Sequence, residues 1–103
     1  MVADFLRVQG FEVYGVGDGQ QALDALTRKH YDLLILDVMM PRLSGFEVCR
    51  KVRETRSALE LPILLLSAKN QTSDIVTGLA AGANDYVSKP VERNELLARV
   101  QTL

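Results

Sequence analysis

Three residues with usable chemistry each stand at the end of a short apolar run. Asp37 follows Leu33–Leu36, Ser67 follows Ile63–Leu66, and Lys89 follows the run near Tyr86–Ser88. A carboxylate can act as a nucleophile, a hydroxyl can donate or accept a hydrogen bond, and an ammonium group offsets negative charge. Taken singly, each has an ordinary reading: a helix-capping or loop acid, a turn serine, a solvated lysine. The conjunction carries more, because all three occur in the same place relative to a buried run. If those runs are parallel strands, the three side chains converge on one edge of one sheet, where open α/β sheets bind their ligands.

The elements needed to do this can be read along the chain. Residues 2–9 place Val2, Phe5, Leu6 and Gln9 at helical spacing, and Gly10 ends that helix. Phe11, Val13 and Val16 suggest a strand at 11–16. Asp18 is placed to cap a helix that turns Ala22, Leu23 and Leu26 inward. The apolar run Leu33–Leu36 is a strand, and Ser44-Gly45-Phe46-Glu47 reads as a capping box opening a helix to about Thr55. A strand at Ile63–Leu66, a helix near 72–81 ended by Gly82, a strand at 84–88 and a last helix with Leu96, Leu97, Val100 and Leu103 inward complete the order. Alternating elements of this kind predict an α/β fold with a mostly parallel sheet and helices on both faces. Continuous apolar runs, in place of strict alternation, suit strands covered on both sides.

Bulk properties fit one small globular domain over residues 1–103, with 48% hydrophobic and 24% charged residues. A net charge of −1, with acids and bases interspersed, argues against a nucleic-acid or anionic-membrane surface. No apolar run approaches a membrane span and no signal-peptide pattern opens the chain, so a cytoplasmic location is expected. The single cysteine, Cys49, lies among Phe46, Val48 and Val52 and reads as a small buried residue. His30 reads as a surface residue near a helix end. Gly15, Gly17 and Gly19 are spaced by two, unlike the phosphate-cradling G-x-G-x-x-G pattern, which argues against a flavodoxin-like cofactor binder.

The segments LLILDVMMP (33–41) with Gly45 beyond, ILLLSA (63–68) and NDYVSKP (84–90) together resemble bacterial response-regulator receiver domains of two-component signalling. The resemblance spans essentially the whole chain and leans toward receivers of hybrid sensor kinases. It implies a flavodoxin-like doubly wound parallel sheet of order 2-1-3-4-5. It also implies that Asp37 accepts a phosphoryl group as an aspartyl phosphate, that Ser67 hydrogen-bonds a phosphoryl oxygen, and that Lys89 pairs with both phosphate and Asp37. Asp37 and the backbone carbonyl of Met39 would be metal ligands, and Lys89-Pro90 would be a cis peptide. Tyr86 would be an aromatic switch whose ring turns inward when Ser67 moves toward the phosphate. The partner would be a sensor histidine kinase or a phosphotransfer protein. The domain would not be an enzyme in its own right, although it would assist its own phosphoryl transfer.

The sequence departs from this family in one respect. Receivers hold Mg²⁺ with a pair of acids at the end of a first strand, and the helix at 2–9 opens the chain where that strand should precede it. Asp4, Glu12 and Asp18 do not obviously replace the pair. The expectation is therefore a receiver lacking its first strand, with Mg²⁺ held weakly or not at all. Its 11–16 strand would then pair directly with 33–36 in a four-stranded sheet, or the open edge would be covered by a second copy in a homodimer, the arrangement favoured here. A pseudo-receiver, serving as a phosphorylation-independent interaction module, is the alternative function.

Overall fold

A computed structural model describes residues 2–103. Five helices and three strands follow in the order α1 (Val2–Val8), α2 (Gly19–Arg28), β1 (Leu34–Asp37), α3 (Gly45–Arg53), β2 (Ile63–Ser67), α4 (Thr72–Ala80), β3 (Asp85–Ser88) and α5 (Arg93–Thr102). The strands form a parallel sheet in the order β1-β2-β3, with Leu34 beside Ile63 and Asp37 beside Leu66, then Leu65 beside Tyr86 and Ser67 beside Ser88.

Each element has a local cause. Asp18 accepts a hydrogen bond from the Gln21 backbone N–H and so caps α2. Ser44 and Glu47 close a reciprocal capping box at the start of α3. Gly10 (φ 96°) and Gly82 (φ 109°) follow α1 and α4 in the left-handed region, which glycine enters without a Cβ penalty. β2 is buried along its whole length and separates two cores. Ile63 and Leu65 face one core, with Ala22 and Leu26 of α2 and Val48, Cys49 and Val52 of α3. Leu64 and Leu66 face the other, with Leu6 of α1, Val87 of β3 and Leu96 and Val100 of α5. Alternation along a strand with helices on both faces is the doubly wound arrangement.

The 11–16 segment is not a strand. Among the described residues, no backbone hydrogen bond joins it to β1, so the four-stranded sheet does not form. Phe11 donates to the Leu6 carbonyl, closing off α1, and Tyr14 is 62% exposed. Its β-favouring residues find no ladder to join, and a strand exists only through its neighbour. Val13 still rests against the α1–α5 core with Leu33 and Ile35. On the same face a cavity of about 510 Å³ opens beside Lys89, walled by Val2, Phe5, Leu66, Val91 and Leu96. Among the described residues, no helix is long and apolar enough to cross a membrane.

Candidate functional site at the carboxyl edge of the sheet

Parallel register brings the predicted residues together. Asp37 ends β1 and Ser67 ends β2, on adjacent strands. Lys89 follows β3, and its backbone N–H donates to the Ser67 carbonyl at 2.8 Å, extending the ladder one step beyond the strands. From there the Lys89 ammonium reaches across and forms an ion pair with Asp37 Oδ2. The other carboxylate oxygen, Oδ1, accepts a hydrogen bond from the Met39 backbone N–H at 3.0 Å. Both partners of the ion pair remain open to solvent, with side chains 37% and 41% exposed. The carboxylate is thus held from two sides yet still accessible. The Lys89–Pro90 peptide is cis.

Ser67 and Tyr86 are connected through one loop residue. Ser67 is fully buried, and its Oγ accepts from the Lys69 N–H at 3.0 Å. The Lys69 carbonyl in turn accepts from the Tyr86 hydroxyl at 2.7 Å. The ring is only 8% exposed, so it lies inward here with its polar tip satisfied by the backbone. Direct steric exchange between Ser67 and the ring was the expected coupling. The structure adds a hydrogen-bonded link through both backbone groups of Lys69.

Gly45 also belongs to this site. A Cβ on it would lie 2.7 Å from the Asp37 carbonyl oxygen and 2.9 Å from Val38 Cα. Its hydrogen atom lets the start of α3 lie against the end of β1, and its N–H donates to the Val38 carbonyl. The loop carrying Met39 is therefore anchored at both ends.

The other acids are committed elsewhere. Asp18 caps α2 and lies 3.7 Å from Arg42, while Asp4 pairs with Arg7 on an exposed helix face. Glu12 is exposed on the unpaired segment. Among the described residues, no group of three or more His, Cys, Asp or Glu could hold a metal ion. Mg²⁺ takes about six oxygen ligands in near-octahedral array. Asp37 and the Met39 carbonyl supply only part of such a set, so the described residues do not by themselves complete a magnesium site.

The profile of the family described as "Response regulator receiver domain" matches residues 1–101. This chain belongs to the response regulator receiver domain family. Among curated proteins, response regulator MprA of Mycobacterium leprae is 49% identical over 98 residues, which are 95% of this chain and 42% of that protein. The receiver thus spans less than half the length of the curated relatives it matches. Among solved structures, the receiver domain of sensor histidine kinase PA1611 from Pseudomonas aeruginosa PAO1 superposes with a TM-score of 0.88 at 35% identity, covering 98% of this chain and 83% of that one. That structure carries a magnesium ion coordinated in its active-site cleft. The BeF3-activated receiver domain of Klebsiella pneumoniae RstA gives a TM-score of 0.89 at 29% identity, covering 98% of this chain and 84% of that one. The flavodoxin-like α/β class read from the sequence is the class of these receivers.

Proposed function

We propose that this receiver accepts a phosphoryl group on Asp37 from a histidine kinase or a phosphotransfer protein and passes the event to the face around Tyr86. The observation that carries this reading is the Asp37–Lys89 ion pair beside the buried Ser67 hydroxyl, all at one strand edge. In the transfer, a carboxylate oxygen of Asp37 forms a bond to phosphorus while the bond from phosphorus to the donor's leaving group breaks. That group departs with its electron pair. Lys89 offsets charge that the phosphoryl oxygens bring into the site. Ser67 can exchange the Lys69 N–H for a phosphoryl oxygen, which rearranges the loop residue that also holds the Tyr86 hydroxyl. The receiver is the acceptor in this scheme and not an enzyme acting on a separate substrate.

The test is to incubate the protein with acetyl phosphate and Mg²⁺ and to map any modification by mass spectrometry. A single labile phosphoryl group is expected, formed slowly and to a low level in this chain because Mg²⁺ is held weakly, and absent from Asp37→Asn. Labelling that persists in Asp37→Asn refutes the assignment. A second reading, a phosphorylation-independent interaction module, is favoured by the lack of an acidic cluster among the described residues. It predicts no label under any donor, together with partner binding that Asp37→Asn leaves unchanged.

A further inference from the structure

Gly78 is out of place on helix-forming grounds. It occupies the seventh position of the nine-residue α4, where glycine weakens a helix relative to alanine. It is buried, and what lies against it is specific. A Cβ on Gly78 would sit 2.7 Å from Tyr86 Cδ2, 3.2 Å from Tyr86 Cε2 and 2.9 Å from Leu65 Cδ1. Leu65 and Tyr86 are direct neighbours in the ladder between β2 and β3. Both belong to the same core, so α4 lies across this pair with Gly78 over the ring.

Neither neighbour can yield cheaply. Leu65 is fully buried, and close-packed interiors leave no room for an added methyl group. The Tyr86 ring is held at its far end by the bond from its hydroxyl to the Lys69 carbonyl. Displacing the ring near its root therefore breaks that bond or lifts α4 from the sheet.

We propose that Gly78 is the seat of the Tyr86 ring: the missing Cβ is what admits the ring to its inward position, so the residue at 78 sets the balance of the switch. This rests on the reading of Tyr86 as the switch and adds a positioning residue that lies outside the phosphoacceptor site. A ligand or modification shifts a two-state element only by its differential interaction with the two states. A methyl group at 78 penalises one state alone and so acts as a constant opposing bias.

The experiment uses the 103-residue chain labelled with fluorotyrosine, its three tyrosines assigned by single Tyr→Phe variants. In the parent, the Tyr86 fluorine resonance should report a buried ring. In Gly78→Ala it should move to the solvent-exposed position, while the Tyr14 and Tyr31 resonances stay put. An unmoved Tyr86 resonance in a folded Gly78→Ala protein overturns the proposal. Should Gly78→Ala fold poorly, urea titration of Gly78→Ala/Tyr86→Ala decides. With the ring gone, Leu65 can shift into the space it vacates, and alanine at 78 should stabilise α4 relative to Tyr86→Ala alone, reversing the sign of its effect. An unchanged sign overturns the proposal equally. Failure of the underlying switch reading looks different: Tyr86 would then sit inward in the parent and outward in Gly78→Ala, but phosphorylating Asp37 in Gly78→Ala would not draw its resonance back toward the buried position.

Discussion

Arg53 should be the most sensitive polar position in the domain, although it lies at the opposite end of the sheet from Asp37. Its guanidinium leaves the end of α3 and donates five hydrogen bonds. Nε reaches the Gly82 carbonyl at 2.8 Å. Nη1 reaches the carbonyls of Leu61 at 2.8 Å, Ser57 at 3.1 Å and, weakly, Arg56 at 3.4 Å. Nη2 reaches Asn84 Oδ1 at 2.9 Å. Asn84 Oδ1 also accepts from the Ile63 N–H, so one fork ties α3 to the amino ends of β2 and β3. Arg53→Met keeps most of the stem and removes every donor. A hydrogen bond to a charged group is worth about 1.5–3 kcal/mol net. Four good bonds do not add, because the site is part-buried and water can replace some donors. A loss of about 2–4 kcal/mol follows, against a total of roughly 5–15 kcal/mol for a typical domain. In a domain of this size that is a fall in Tm of roughly 10–25 °C. Urea unfolding followed by circular dichroism measures it, with a lowered midpoint at constant slope as the expected signature. Arg53→Lys keeps the charge but not the planar fork, and should recover less than half of the loss. A change below about 1 kcal/mol in Arg53→Met, or full recovery in Arg53→Lys, would refute the reasoning.

Three other outcomes are expected. Ser67→Ala removes the acceptor for the Lys69 N–H and should cost about 1–2 kcal/mol. It should also uncouple the Tyr86 resonance from phosphorylation at Asp37, and a coupling of wild-type size would acquit Ser67. Mg²⁺ titrated with beryllium fluoride should bind this chain weakly, because one carboxylate is a poor magnesium site. Tight binding that Asp37→Asn abolishes would show that another acid completes the set. Cys49 is fully buried, and desolvation raises its thiol above the ordinary range, so little thiolate exists at neutral pH. Iodoacetamide should therefore label it only as fast as the domain opens, and rapid labelling of the native protein would contradict the packing.

Much of the fold was legible because each helix announces itself locally. The capping box at Ser44 and Glu47 and the cap at Asp18 are sequence patterns that need no tertiary context to be recognised. The site was legible for a different reason. In a parallel sheet every strand delivers its last residue to the same edge. Asp37 and Ser67, which end their strands, and Lys89, one residue past its own, must therefore meet, even when 52 positions separate Asp37 from Lys89.

What was not legible depends on pairs. The 11–16 segment carries strand-forming residues, but strand is a property of two chains of backbone groups, and the open edge of β1 does not reach it. Arg53 looks like any basic residue in the last turn of a helix, and its value comes from carbonyls on a different part of the chain, 29 residues away at Gly82. Gly78 reads as a flaw in α4 until the ring beneath it is seen. Propensity fails at Gly78 because the helix gives up stability where another element must come close. A residue that is poor by every local rule yet buried at a contact marks a place where packing, and not helix formation, was selected. Asp37 and Lys89 pair at one end of this domain, Ser67 and Tyr86 are both bonded to the Lys69 backbone, and the Tyr86 ring lies where only a glycine of α4 can cover it.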